Sequence, residues 1–298
     1  MHSVLLNAHL LGPTSTGWTL VRGHAPPVFD APHLIRPDLT KLGVEPVLLE
    51  DDEWEHWVLE KRSRLVRGQL VLRDPTLDSM QSAPLVEATQ AFFQRSLPCG
   101  PIAPDGTFPW LGGYRPASQA EFWDALSMSL QEDFAVMLDT DSRGLRAVIL
   151  SVSFPSGWNP VERLGQSMAA LHEPVADNAL LQASMGSMSK AMTEKGPFVR
   201  RVWTLAGSNA KARPPGANDT RGLSDARQLW FRHERQVTLP LGAGACLFLI
   251  RVLLAPYTSV VRTPEDHRRL VSSLASMSED TIAYKQLAHA RQLVMGSA

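Results

Sequence analysis

The sequence predicts an α+β fold in which an antiparallel five-stranded sheet carries helices on one face and is flanked by N-terminal and C-terminal helices. Two apolar runs, at residues 134–138 and 145–154, flank a turn rich in Asp, Ser and Gly, which is typical of a β-hairpin. Two helices and then three more strand-like runs follow. Hairpin-linked strands indicate an antiparallel sheet, and helices inserted between the second and third strands are expected to cover one of its faces.

The N-terminal part of the chain is predicted to wrap this sheet. Residues 1–48 are rich in Pro, Gly and His and predict an extended segment. A helix is expected from residue 50 onwards, because acidic residues favour a helix N-terminus while Lys61, Arg62 and Arg64 suit its C-terminal end. The remaining predicted elements are a short strand at residues 69–73, a helix at 85–97, a Pro- and Gly-rich loop at 99–115 and a helix at 118–131 with an S-x-x-E capping box at Ser118 and Glu121.

The central and C-terminal elements complete the prediction. They are helices at residues 160–172 and 178–193, strands at 198–205, 228–238 and 245–254, and a long polar loop at 206–224. Two further helices follow and reach about residue 293; the first begins with Thr263 as N-cap and Pro264 at its first position. We expect an N-terminal wrapping segment with helices (1–132), a core (133–256) and C-terminal helices packed on that core (257–298), forming one structural unit. The order of strands and helices in the core resembles that of PAS-type sensor domains, which often hold a small molecule, a flavin or a haem.

The composition places the chain among ordinary globular proteins. It has 298 residues, of which 44% are hydrophobic and 20% are charged, and its formal net charge is −1. A charge so near zero gives no basic field for a nucleic-acid backbone. No apolar run approaches the roughly 18 residues of a membrane-spanning helix, and the N-terminus lacks the charged region of a signal peptide. These features predict a cytoplasmic protein without nucleic-acid or membrane partners.

Missing motifs argue against several classes of site. Cys99 and Cys246 are the two cysteines and form no C-x-x-C or C-x-x-C-H pair, so a zinc ribbon or a covalently attached haem is not indicated, and both thiols are expected to be free. The sequence also lacks H-x-x-x-H, H-E-x-x-H, G-x-G-x-x-G and G-x-S-x-G motifs. It therefore does not indicate a zinc hydrolase, a dinucleotide-binding enzyme or an α/β-hydrolase.

His172 is the first candidate site residue. Leu164, Met168 and Leu171 recur at helical spacing, and His172 follows eight residues after Leu164, so its ring is expected on or beside the apolar face, toward the sheet. The residue is either a core histidine satisfied by hydrogen bonds or an axial ligand of a haem iron, a common role for histidine. Spacing alone does not separate the two.

Charged residues alternate along the fourth predicted strand. Arg232, Glu234 and Gln236 are expected on one face of the sheet, and His233 and Arg235 on the other. Charges on a buried face need partners in the protein or on a ligand. The alternatives are a solvated face with a cross-strand salt bridge and a set of guanidinium groups that bind carboxylates. Arginines on the two neighbouring strands favour an anionic ligand on this sheet, and they are Arg200, Arg201 (close to Trp203) and Arg251.

Several segments of the chain, taken in order, match one family pattern. They are Trp158-x-Pro160-x-x-Arg163-x-Gly165, His172-x-Pro174-Val175, an arginine-bearing strand that ends near Trp203, Arg232-x-Glu234-Arg235-Gln236 leading into Leu239-Pro240, Phe248-x-Ile250-Arg251, and Tyr284-Lys285. By itself the last pair indicates only an amphipathic helix that docks one tyrosine. Together the segments resemble the haem-dependent oxidative N-demethylase family, the catalytic subunits of the dimethylamine monooxygenase type, over roughly residues 50–290.

The resemblance implies a PAS-like protein with one b-type haem, which takes electrons from an external flavin/iron–sulfur reductase. It would use O2 to oxidise a small amine at an N-methyl group and release formaldehyde. His172 is then the axial ligand of the iron. The implied cofactor contacts are His172, Trp158, Arg163, Arg201, Arg232, Arg251 and Tyr284. The implied catalytic residues are Trp203, Glu234 and Arg235; of these Glu234 would face an ammonium substrate or brace an arginine, and Trp203 offers an aromatic face to a cation.

Three positions depart from the family pattern. Arg163 stands where the family has Lys, Val202 stands where it has Asn before the strand Trp, and the segment at residues 237–240 is shorter. These departures concern the reaction more than the haem. Two alternatives therefore stay open: a haem-PAS gas sensor or haem carrier without turnover, and a haem-free small-molecule binder. No kinase, cyclase or DNA-binding output domain is recognisable in the sequence, which favours the enzyme over the sensor.

Overall fold

A computed structural model of the chain has a mixed α+β fold built around one antiparallel sheet. It describes residues 29, 31–49, 53–96, 100–139, 144–213, 215–216 and 220–296. The predictions for residues 1–28, for the start of the first helix at residues 50–52 and for Cys99 lie outside these ranges. Within them, the predicted α+β class is confirmed.

In the described ranges seven strands form the sheet in the order β1-β5-β6-β7-β3-β4-β2, and each pairs antiparallel with its neighbours. The strands are β1 Thr40–Lys41, β2 Leu72–Arg73, β3 Asp133–Asp139, β4 Leu145–Ser151, β5 Phe198–Ala206, β6 Trp230–Gly242 and β7 Ala245–Pro256. The five predicted strands correspond to β3–β7. The predicted number of five is corrected to seven because a two-residue strand pairs at each edge, Thr40 with Val199 and Leu72 with Leu150.

Eleven α-helices lie in the described residues. They are α1 Trp54–Val66, α2 Ser79–Ser96, α3 Gln119–Ser129, α4 Pro160–Arg163, α5 Met168–His172, α6 Ala179–Ala183, α7 Met185–Glu194, α8 Tyr257–Val260, α9 Pro264–Ala275, α10 Glu279–Tyr284 and α11 Ala288–Gly296. Caps explain several starts: Thr263 caps α9 ahead of Pro264, and the Oγ atom of Ser118 accepts from the N–H of Glu121 at the start of α3. The Glu121 carboxylate does not complete the predicted capping box and accepts from the Tyr114 hydroxyl at 2.7 Å instead.

The single helix predicted over residues 160–172 is wrong, because the chain breaks into α4 and α5 at Gly165. Gly165 has a φ of +77°, a conformation that suits glycine. Its N–H donates to the Ala147 carbonyl at 2.7 Å, and the Ala147 N–H donates to the Gln166 carbonyl at 3.1 Å. Residues 165–166 therefore pair with β4, and this pairing sets the position of α5 against the sheet.

Apolar packing covers both faces of the sheet, whereas the sequence predicted helices on one face. On one side, which we call the α1 face, the packed residues include Val237, Leu239, Leu247, Leu249, Trp54, Val58 and Trp123. The C-terminal helices pack at the far end of the same face, through Trp203, Leu205, Phe231, Leu270, Leu274 and Ile282. On the opposite side, which we call the α5 face, the packed residues include Ala135, Met137, Cys246, Met168, Leu181, Met188 and Met192.

Candidate functional site

A row of half-exposed side chains on the α5 face forms the candidate site. Alternation along β6 puts Arg232, Glu234 and Gln236 on this face, as predicted, and the register of β5 and β7 sets Arg200 and Ile250 beside Gln236. We call the half-buried residues of this row the polar strip; they are Arg200, Val202, Glu234, Gln236 and Ile250. The strip therefore combines a cation, a carboxylate and an amide with apolar neighbours on one sheet face.

His172 ends α5, close enough to the strip for its titration to depend on Arg200. Its Nδ1 atom lies 2.8 Å from the carbonyl oxygen of Met168. A carbonyl can only accept, so this hydrogen bond keeps the proton of the neutral ring on Nδ1 and leaves the Nε2 lone pair available. Burial lowers the pKa of His172, the bond to Met168 opposes that shift, and Arg200 lowers the pKa further. The imidazole ring is therefore neutral and held in one orientation, with its Nε2 lone pair unprotonated, and this is the form of histidine that binds a metal ion.

Arg232, at the end of the strip, is bonded throughout by the protein. Its Nε donates to the Ser156 hydroxyl at 2.6 Å, its Nη1 to the Lys211 carbonyl at 2.6 Å and its Nη2 to the Phe154 carbonyl at 2.8 Å. Burial lowers its pKa, and the negative charge of Glu234 opposes that shift. Arg232 therefore fastens the two neighbouring loops to the sheet, and few of its donors remain for a ligand.

Arg200 differs from Arg232 because its guanidinium forms no hydrogen bond within the described residues, and its Nε is buried. Burial lowers its pKa, and the carboxylates of Asp38 and Glu234, together with the Tyr284 phenol when it is ionised, oppose the shift. The strip thus contains a cation whose donors are available to an anionic ligand.

The carboxylate of Glu234 lies between these two arginines. One oxygen accepts from the Gln236 amide at 3.1 Å, and the other lies 3.9 Å from Nε of Arg232. The Oε1 atom of Gln236 is buried without a partner in the described part of the chain. Glu234 and Gln236 therefore present acceptors that suit a cationic ligand.

Arg163 and Tyr284 form the rim of the strip, since Tyr284 interacts electrostatically with Glu234, Arg163 and Arg200. Tyr284 is 47% exposed, and Arg163 is half-buried and donates to Gln166 at 3.2 Å. Burial raises the pKa of Tyr284, Glu234 raises it further, and the two arginines oppose this shift. The predicted residues Arg163, His172, Glu234 and Tyr284 thus come together.

Trp158, another predicted cofactor contact, lies half-buried in the turn between β4 and α4.

Four other predicted site residues lie on the α1 face. Arg201 pairs with Glu45, and Arg235 donates to the Val47 carbonyl at 3.1 Å and lies 3.5 Å from the Glu45 carboxylate. Strand alternation, with its period of two, turns these side chains away from the strip. The other two are Arg251, whose guanidinium lies 4.3 Å from the ring centre of Trp57, and Trp203, which packs against Phe29 and Phe231. These contacts are structural, and the site assignments for all four are revised below.

Arg213 joins the site from the loop at residues 206–224 and was missed by the sequence analysis. Its backbone pairs with the turn after β4, through a bond from its N–H to the Pro155 carbonyl at 2.9 Å and one from the Gly157 N–H to its carbonyl at 2.7 Å. Burial lowers the pKa of Arg213 to about 10, Arg232 lowers it further and Glu234 opposes the shift. No signal in the sequence marks this residue, because an irregular loop has no periodicity from which a direction can be inferred.

Lys285 lies beside the site at the edge of β5. Its Nζ donates to the Trp203 carbonyl at 2.9 Å. Burial lowers the pKa of Lys285 to about 8, Arg200 lowers it further, and Glu234 opposes the shift. The side chain therefore satisfies a carbonyl at the strand edge and adds positive charge near the strip.

Among the described residues, no group of three or more His, Cys, Asp or Glu side chains is arranged to hold a metal ion. None of the helices that the structure describes has the length and apolar character needed to cross a bilayer.

Comparison with known families identifies one match. The model of a family described as haem-dependent oxidative N-demethylase, alpha subunit-like, matches residues 108–295, well over half of the chain. The matched range includes α5, the polar strip, Arg213 and Tyr284. No curated protein gives a significant match.

Proposed function

The chain belongs to the haem-dependent oxidative N-demethylase, alpha subunit-like family, and we propose that it is a haem-dependent monooxygenase that removes a methyl group from a small amine. The matched residues 108–295 contain every residue assigned below to the haem or to the substrate. The name of the family also supports a second subunit or protein as partner, and we propose a flavin/iron–sulfur reductase in that role.

The observation that carries this proposal is the orientation of His172. Its Nδ1–H is committed to the Met168 carbonyl at 2.8 Å, which fixes the ring and leaves Nε2 as the available donor. A proximal histidine with its other ring nitrogen bonded to a carbonyl is a usual arrangement in haem proteins. We therefore assign His172 as the axial ligand of a b-type haem.

The polar strip supplies what the rest of a haem requires. Two propionates need cations, and Arg200 and Arg163 are available near the exposed Tyr284. The macrocycle needs apolar walls, and Ile250 and Val202 lie on the strip itself. Arg201 and Arg251 are no longer assigned to the haem, and Arg235 and Trp203 are no longer assigned catalytic roles, because their side chains lie on the α1 face.

Glu234 and Gln236 would bind the substrate amine. A protonated amine is stabilised by a carboxylate, and Glu234 keeps one oxygen at 3.9 Å from Arg232 while the other accepts from Gln236. The half-buried setting strengthens this attraction relative to bulk water. Glu234 is thus proposed as the substrate-orienting carboxylate.

The overall reaction consumes one N-methyl amine, one O2, two electrons and two protons, and it yields the demethylated amine, formaldehyde and water. A bound haem would supply the activation of O2 and the insertion of one oxygen atom into the methyl C–H bond. The chain's own residues hold the cofactor through His172, orient the amine through Glu234 and compensate anionic groups through Arg200.

We also propose that the core is PAS-like and that the three segments of the chain form one unit. The central strand order β5-β6-β7-β3-β4, with helices α4–α7 between β4 and β5, supports the first point. The shared packing of Trp54 and Trp123 with Val237 and Leu247 supports the second.

Two histidine variants test the haem assignment. His33 is a matched control, because its Nε2 is also buried without a partner among the described residues, yet it lies against Trp203 on the α1 face. The wild type, His172→Ala and His33→Ala are titrated with haem, and absorption spectra are recorded oxidised, reduced and with CO. We expect His172→Ala to lose roughly tenfold or more in haem affinity and to change its spectrum, while His33→Ala behaves like the wild type.

Turnover is tested with the haem-loaded protein, a reductant and a panel of N-methylated amines, with formaldehyde as the readout. A wild type that takes up no haem contradicts the whole proposal. Haem uptake without formaldehyde from any amine would leave a haem sensor or carrier in place of the enzyme. An unchanged spectrum in His172→Ala would remove His172 as the ligand.

A further inference from the structure

Arg213 is a buried cation, and some of its N–H donors have no hydrogen-bond acceptor in the described residues. It is only 7% exposed, and its Nε and Nη1 atoms are buried without a hydrogen-bond partner in the described residues. An unpaired buried guanidinium is costly, so a side chain held in this way indicates a missing anionic partner.

The surroundings of Arg213 carry excess positive charge. Arg232 and Glu234 are the charged groups that act on it. Arg232 is 1% exposed and bonds to a hydroxyl and to carbonyls, all of which are neutral. Glu234 is the negative group that acts on both guanidinium groups, and one of its oxygens is already bonded to Gln236. Asp133 also acts on Arg232, but its carboxylate lies 4.0 Å from the Lys61 ammonium, which it neutralises. A further anion is needed to balance the charge.

The loops around Arg213 hold it firmly. The backbone of Arg213 forms a β-bridge with Ser156, and the Ser156 hydroxyl accepts a hydrogen bond from Nε of Arg232 at 2.6 Å. Backbone bonds to Pro155 and Gly157 fix both sides of the bridge. The backbone of Arg213 is thus fixed and its side chain is buried before any ligand arrives, which lowers the entropic cost of binding.

We propose that Arg213 binds a carboxylate on the substrate, so that the amine oxidised at this site is zwitterionic, an N-methylated amino acid. This inference rests on the proposed function. Glu234 and Gln236 take the ammonium end, and Arg213 takes the carboxylate end of the same small molecule. Arg213 pairs through its backbone with Ser156, and Glu234 lies 3.9 Å from the Arg232 Nε that donates to Ser156, so the two offer a cation and a carboxylate to a ligand that carries both charges.

The haem propionates are the competing occupants of Arg213. Ionised propionates are more stable where water can reach part of them. Arg200 and Arg163 are half-buried and lie near the 47% exposed Tyr284, whereas Arg213 is 7% exposed. The propionates therefore suit the rim, and Arg213 remains for the substrate.

Three probes of similar shape separate the possibilities. N,N-Dimethylglycine carries both charges, dimethylamine only the ammonium and isovalerate only the carboxylate. Their binding is measured by calorimetry on the haem-loaded and the haem-free protein, for the wild type, Arg213→Met and a control, Arg227→Met. Arg227 is an exposed arginine paired with Asp225. Haem affinity is measured in parallel from absorbance.

We expect the wild type and Arg227→Met to bind N,N-dimethylglycine about tenfold or more tightly than either single-charge probe. Arg213→Met should lose this preference with its haem affinity unchanged. A wild type that prefers dimethylamine overturns the inference, even if Arg213→Met does not fold. Weakened haem binding in Arg213→Met, with the preference for N,N-dimethylglycine intact, assigns Arg213 to a propionate and also overturns it. A protein that takes up no haem overturns the proposed function. In that case the preference of the haem-free protein for N,N-dimethylglycine over the two single-charge probes still tests whether Arg213 binds a carboxylate.

Discussion

Arg232 and Arg235 lie three residues apart on β6, and their guanidinium groups point to opposite faces of the sheet. Arg232 donates to Ser156 and Lys211 on the α5 face, while Arg235 donates to the Val47 carbonyl on the α1 face. Arginines of the single strand β6 therefore bond to segments that pack on each of the two faces of the sheet. It follows that arginines of the same strand have different tasks, which mutation can separate.

Arg235→Met should destabilise the fold without altering the haem site. The variant leaves the carbonyls of Val47 and Pro46 without their donor and removes one of the two cations beside Glu45, and unsatisfied buried acceptors cost on the order of 1–3 kcal/mol. Arg200→Met is the matched comparison. Because Arg200 forms no hydrogen bond within the described residues, this variant should keep its stability and should instead bind haem more weakly. Urea unfolding and haem titration of both variants check this. The reverse pattern, with haem affinity lost in Arg235→Met and stability lost in Arg200→Met, would return Arg235 to the site.

Gly196→Ala should destabilise the entry to β5. A Cβ atom there would lie 2.6 Å from Cδ of Pro240 and 3.0 Å from the Thr238 carbonyl, and neither can move without shifting β6. Forcing an atom into such a contact costs about 1–3 kcal/mol. Gly186→Ala is the control: it has open space in α7, and alanine should stabilise a helix by up to about 1 kcal/mol. Equal unfolding free energies for the two variants would contradict this account.

Lys61→Met should weaken the packing of α1 on the core. The Nζ atom of Lys61 is fully buried and donates to the carbonyls of Ser127, Leu130 and Glu132 at 3.1, 2.7 and 2.6 Å. Methionine fills similar space but leaves these three carbonyls without their donor and removes the ammonium group 4.0 Å from the Asp133 carboxylate, at a cost of about 3 kcal/mol. Chemical denaturation against the exposed-site control Lys190→Met measures the effect. A loss no larger than that of the control would show that water replaces the ammonium group.

Acid should destabilise the protein between pH 6.5 and about 4, in part through His33. Burial, with a contribution from the positive charge of Lys285, lowers the pKa of His33 from 6.5 to about 4. Below pH 6.5 the unfolded chain takes up a proton that the folded chain refuses until about pH 4, so the free energy of unfolding falls across this window. His172 acts in the same direction, since burial also lowers its pKa.

His33→Gln should therefore flatten the dependence of the unfolding free energy on pH within this window and leave the values above pH 7 with the same slope as the wild type. Denaturation curves at half-unit pH intervals test this. An identical acid slope in the wild type and the variant would show that His33 titrates equally in both states.

Patterns with a period predicted much of the fold. The strands β3–β7 follow from apolar runs, and the N-caps Ser118 and Thr263 follow from side chains that bond within one turn. Alternation on β6 also predicted that Arg232 and Glu234 lie on the face of the sheet opposite to Arg235. The break at Gly165 was missed because it depends on pairing with Ala147, eighteen positions earlier in the chain, which no local pattern records.

The fold class and the place of His172 on a helix over the sheet follow from the sequence, because helical and strand periods fix which side chains share a face. The family pattern follows from the order and spacing of its motifs. Which cations remain available for a ligand depends on the folded structure. The donors of Arg232 are bonded to carbonyls from two loops, and those of Lys61 to three carbonyls of another segment. Arg213 comes from an irregular loop and lies near enough to Glu234 for the two charges to interact. Whether a buried charge is satisfied depends on contacts between distant segments, and such contacts exist only once the chain is folded.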